Sequence, residues 1–157
     1  MSGQRIGLIL LALAAIATGC AAMAASTHAT PKANDTRTTI VKDEGHLKLV
    51  KSSGSLLIDE GPASGSLPGK VRVRFIYNGD PTVSAQITIT GREGSINAHA
   101  NGRLSSLTSA SPSFQGILTI GAGTGRYAGA HGSGHLYGVF YRRTYAMTVQ
   151  TQGTLHY

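Results

Sequence analysis

The sequence predicts an all-β protein: a single antiparallel eight-stranded β-barrel, preceded by a signal peptide and a flexible linker. Three observations carry this. From Thr38 onward short segments alternate apolar and polar residues, and no longer window sustains a 3.6-residue apolar period. Clusters of Gly, Pro, Asn, Asp and Ser separate these segments at the spacing of an all-β domain. Glycines also recur inside the strand patterns, at Gly116, Gly129, Gly132, Gly134 and Gly138, where they mark bends, bulges and close backbone approach. A meander of this many strands curls, and closure removes the exposed edges. The length of 157 residues suits one domain and excludes a TIM barrel or a two-domain dinucleotide enzyme.

The first element is an address. Arg5 precedes an apolar run from Ile6 to Ala17, the layout of a secretory signal peptide. Ala17-Thr18-Gly19-Cys20 has the form of a lipobox, which assigns residues 1–19 to a lipoprotein signal and Cys20 to lipid attachment. Ala22-Met23-Ala24 is the competing site for ordinary cleavage. The product is then exported, either lipid-anchored in the cell envelope or secreted, and its membrane contact is through the anchor. With one Cys in the chain there is no intrachain disulfide. Residues 20–37, rich in Ala, Ser, Thr, Asn and Pro, read as a flexible linker, and 38–157 as the barrel domain.

The strands follow in order: His46 to Val50, Ser55 to Asp59, Lys70 to Tyr77, Val83 to Thr90, Gly94 to Leu104, Phe114 to Ile120, Tyr127 to Tyr141 and Tyr145 to Tyr157. In the third, Val71, Val73, Phe75 and Tyr77 share one face while Arg72 and Arg74 take the other. The last repeats this, with Tyr145, Met147, Val149, Thr151, Gly153, Leu155 and Tyr157 on one side. Such alternation means one buried and one wet face. Asn78-Gly79-Asp80-Pro81 is a turn, and Gly61-Pro62, Pro68-Gly69, Gly91 and Ser109 to Ser113 break the chain at other joints.

The run from Phe114 to Gly134, FQGILTIGAGTGRYAGAHGSG, resembles the signature of allene oxide cyclase-like and dirigent-like barrels, and Gly153-Thr154-Leu155-His156-Tyr157 matches their terminal G-x-L-x-Y form. The resemblance covers roughly Ser64 to Tyr157 and extends to secreted bacterial proteins of unassigned function. It implies an eight-stranded barrel in which Gly123-Thr124-Gly125 is a tight connection and Arg126 opens the next strand. Those plant proteins are thought to steer a reactive intermediate with acidic residues in the cavity. Residues 94–157 contain no Asp or Glu, so no functional residue carries over by motif. A carboxylate role in the lumen falls to an early residue such as Asp59 or Glu60.

Other chemistries find little support. His131 and His135 share a strand face with Ser133, Tyr137 and Tyr141, but four strand residues span about 13 Å, too far for one metal ion. A metal pair needs i, i+2 spacing or a partner such as His99 on a neighbouring strand; the sequence assigns no metal ligand and no cofactor. Gly132-Ser133-Gly134 lacks the surroundings of a nucleophile elbow. The net charge of +7 comes from scattered Lys and Arg without basic-aromatic interleaving, which argues against nucleic acid and reads Arg72 and Arg74 as a solvated face.

The reading this supports is a non-enzymatic binding or structural module for a small apolar ligand or envelope component, its cavity lined by Val73, Phe75, Met147 and Val149. The alternative is a cofactor-free dirigent-like or cyclase-like enzyme that steers an apolar intermediate in the cavity. A third is an interaction protein presenting Tyr127, Tyr137, Tyr141 and Tyr145.

Overall fold

Eight strands run up and down in chain order and close on themselves, so every strand is hydrogen-bonded on both sides. The computed structural model describes residues 36–77 and 79–157; Cys20, the signal segment and most of the linker lie outside them. The strands are β1 (Thr38–Ser53), β2 (Leu56–Gly65), β3 (Gly69–Ile76), β4 (Thr82–Gly91), β5 (Gly94–Leu104), β6 (Ser113–Gly123), β7 (His131–Tyr141) and β8 (Ala146–His156). All pairings are antiparallel, and β1–β8 closes the barrel from Thr38↔His156 to Lys48↔Ala146.

Period-two patterning sets the two faces. Val71 and Val73 on β3 are buried and Arg72 and Arg74 exposed; on β8, Met147 and Leu155 are buried and Gln150 and Gln152 exposed. The outward positions of β4 to β8 carry mostly Thr, Ser, Asn, Gln and His. That is the reverse of a membrane-spanning barrel, whose outward band is apolar.

The interior is filled unevenly. At the end bearing the β2–β3, β4–β5 and β6–β7 connections, Val41, Leu67, Ile96, Ile120, Ala130 and Leu155 form a packed plug. Leu67 is folded over this end because its backbone N–H donates to Asp43 Oδ1 at 2.6 Å. Tyr127 and Tyr157 pack edge-on against each other at 5.2 Å beside the plug.

Several boundaries differ from the sequence reading, each for a local reason. β1 begins at Thr38 rather than His46, and Arg37, assigned to the linker, exchanges two backbone hydrogen bonds with Tyr157. β2 runs through Gly61-Pro62 instead of breaking there. Proline removes one donor, but partners on both sides hold the strand, and Gly61 lies so close to the His46 carbonyl that a Cβ would collide with it. Arg126 does not open the next strand: Gly125–Tyr127 form a 3-10 turn and β7 starts only at His131. Gly125 begins that turn at φ +61°, a conformation glycine adopts without cost. Tyr145 lies in the β7–β8 turn at φ +51°, ahead of β8.

Candidate functional site

Opposite the plug the barrel is open. The β1–β2, β3–β4, β5–β6 and β7–β8 connections surround a cavity of about 390 Å³ that opens at this end. The cause is legible in the register. On the inner faces of β4 to β7, Ala85 lies opposite Ala100, Gly102 opposite Gly116, and Gly138 opposite Phe114. The alanines and glycines among them bring few atoms into the lumen, whereas the plug end carries Val, Ile and Leu. The Phe114 ring lies over Gly138, where a Cβ would collide with it, and so forms part of the wall.

All four sequence-assigned lining residues, Val73, Phe75, Met147 and Val149, reach this cavity. Leu57, Ile87, Phe114, Leu136 and Phe140 complete most of the apolar wall; β4 alternates cleanly enough to have marked Ile87, whereas interior glycines and outward apolar residues such as Ile117 and Val139 blur the pattern on β6 and β7. The mouth is polar. Ser52, Ser55, Tyr77, Arg103, Arg142 and Tyr145 stand there.

Arg142 has a second task. Its Nε donates to the Ser109 carbonyl at 2.8 Å and an Nη to the Leu107 carbonyl at 3.0 Å, strapping the long β5–β6 connection along the rim. Arg103 sits near Asp80, whose carboxyl is held below its usual range first by the Thr82 N–H and hydroxyl and then by Arg103. Among the described residues no carboxylate lines the cavity, and Arg103 and Arg142 are the charged groups at its mouth.

Of the two early acids, Asp59 faces the lumen side and Glu60 faces out. Asp59 lies opposite Leu49 and Val73, is 1% exposed, and neither of its oxygens has a hydrogen-bond partner. Burial pushes its carboxyl up to about 6. It adjoins Val73 on the cavity wall without itself lining the cavity. Glu60 is engaged on the outer surface by Lys70 at 2.6 Å and Arg72 at 3.5 Å, and the Lys70 contact lowers its carboxyl.

The remaining sequence candidates scatter. Gly123, Thr124, Gly125 and Arg126 lie at the plugged end, where Arg126 pairs with Glu93 and stands over the Tyr157 ring. They tie the β4–β5 turn to the β6–β7 connection, far along the chain's strands from the cavity lining. His131, Ser133, His135, Tyr137 and Tyr141 are exposed on the outer face of β7. Tyr137 and Tyr145 are each about half exposed, while Tyr127 packs on the plug and so is no part of a tyrosine surface.

Comparisons with protein families, curated proteins and solved structures gave no match to this chain.

Proposed function

We propose that this protein is an exported, non-enzymatic binding module that holds a small apolar ligand in the open half of the barrel. The observation that carries the reading is the cavity itself: about 390 Å³, apolar on its walls and open at one end only. That volume falls within the roughly 300–1,000 Å³ of small-molecule pockets. Water in such a lumen finds few partners, so displacing it by apolar surface is favourable. Arg103 and Arg142 at the mouth favour a ligand whose outer end is polar or anionic. Anchoring through Cys20 would hold the cup at a membrane surface, where apolar molecules partition; cleavage after Ala24 would release it.

The test is retention and displacement. Native mass spectrometry of protein purified from its own host is expected to show a bound apolar molecule. An environment-sensitive apolar dye should bind the emptied protein, and Ala85→Phe, which fills the lumen, should abolish dye binding without unfolding it. Equal dye binding by wild type and Ala85→Phe would overturn the reading.

One observation favours a second reading, the cofactor-free enzyme that the allene oxide cyclase-like and dirigent-like resemblance suggests. Asp59 is a buried acid on the inner face beside the cavity wall, and burial pushes its carboxyl up to about 6, the direction a general acid needs. Loss of turnover of a bound intermediate in Asp59→Asn, with ligand binding intact, would support it.

A further inference from the structure

On the outer face, at the plugged end, His131 opens β7 and His156 closes β8, and the register sets them directly opposite each other. Their ring centroids are 5.1 Å apart with the planes within 21°. Among the described histidines this is the one pair joined across a ladder. His99 faces Gln86 and Thr119, His135 faces Ile117 and Gln152, and His46 is engaged by Glu44.

Each ring is already held by its Nδ1. His131 Nδ1 lies 3.1 Å from the Gly129 carbonyl, which can only accept, so this nitrogen carries the proton and Nε2 keeps its lone pair. His156 Nδ1 lies 2.9 Å from the Thr38 hydroxyl, which can accept in the same way. Neither Nε2 takes a hydrogen bond among the described residues. An imidazole whose other N–H is fixed by an oxygen acceptor is the arrangement found at metal sites, because it sets the tautomer and the ring orientation.

We propose that His131 and His156 form a two-imidazole site for a late first-row divalent ion, Cu²⁺ ahead of Zn²⁺, with water completing the coordination. The spacing fits. With metal–nitrogen bonds of about 2.0–2.1 Å, two imidazoles sharing a tetrahedral ion have centroids roughly 5 Å apart. The rings stand stacked, so each must turn about its Cβ–Cγ bond to aim Nε2 at a common ion, and the broad terminal torsion of histidine allows that turn. Imidazole nitrogen suits copper and zinc, and the affinity order places copper first. The site lies on the outer wall at the end opposite the cavity mouth, so it is independent of ligand binding in the lumen.

The test is a Cu²⁺ titration of the full chain by calorimetry, with electron paramagnetic resonance of the bound ion. One equivalent should bind with two nitrogen ligands in the spectrum. Loss of an outer partner costs about 10–100-fold in metal affinity, so loss of a ligand, in His131→Ala or His156→Ala, should cost at least about tenfold. His99→Ala and His135→Ala should bind as wild type does. A spectrum of wild-type protein with fewer than two nitrogens, or full affinity in the His131→Ala/His156→Ala double variant, overturns the proposal. The wild-type spectrum gives that answer even if a variant misfolds.

Discussion

Asp59 stands against the grain of its own strand. β2 needs an apolar residue between Leu49 and Val73, and a carboxyl occupies that place with no hydrogen bond to offset its lost hydration. Its pKa rises from the ordinary 3.8 to about 6 because burial disfavours the charged form. The folded barrel therefore binds a proton that the unfolded chain has released. Stability from this group is fully present below about pH 4, falls as pH rises, and is lost by about pH 6, an effect on the order of 3 kcal/mol. Asp43 is raised too, by burial against the opposing Leu67 and Ser66 N–H bonds, so the informative quantity is the difference between variants. Urea unfolding at pH 4 and pH 7 should show wild type losing more stability over that interval than Asp59→Asn. Parallel pH profiles for the two would show that Asp59 is ionised at no cost. The sequence marks Asp59 as an acid near a turn; only the register that sets it opposite Leu49 and Val73 turns it inward.

At the scale of elements, the interval between β6 and β7 shows how much local patterning reveals. The alternation in Phe114 to Ile120 and the run of glycines locate both strands and their joint, and Gly121 is the extra residue of a bulge, as interior glycines suggest. What was not legible is that Arg126 to Ala130 form a turn, because Tyr127 and Ala130 continue an apolar pattern that they spend on the plug. The Arg126–Glu93 pair has both side chains roughly half exposed, so water and salt screen it. Arg126→Ala should therefore cost little stability. Tyr157→Ala, which removes the edge-on Tyr127 contact and buried area, should cost more, at least about 1.5 kcal/mol. Thermal melts of the two variants rank them, and the reverse order would assign the latch to charge. Gly138→Ala should lower stability by about 1–3 kcal/mol, since Phe114 must leave its place on the cavity wall. The same variant should weaken binding of an apolar dye.

For the whole molecule, the consequence is a cup whose two ends answer differently to the same substitution. Leu155 is fully buried in the plug, where every lost atom leaves a void, so Leu155→Ala should cost about 2–5 kcal/mol. Met147 faces the cavity on one side and has fewer contacts to lose there, so Met147→Ala should cost distinctly less and enlarge the lumen. Chemical denaturation of the two variants tests this asymmetry, and equal losses would mean that the open half is packed like the plug. Filling the lumen should act in the opposite sense: a variant such as Ala85→Phe gains about 0.5–2 kcal/mol while losing dye. Stability gained together with binding lost is the signature of a cavity kept open for occupancy.

Period two is a local property of the chain, and from it follow the class of fold, the faces of the clearest strands and the inward place of Val73, Phe75, Met147 and Val149. That pattern does not determine which half of the lumen is empty, that Asp59 rather than Glu60 turns inward, or that His131 meets His156. Each of these depends on which residues stand opposite one another on strands distant in sequence, and a shift of register by one residue would reverse every face. Closure of the barrel fixes that register, which sets Ala85 against Ala100 and Gly102 against Gly116 in the open half and gathers Ile96, Ile120 and Leu155 in the plug.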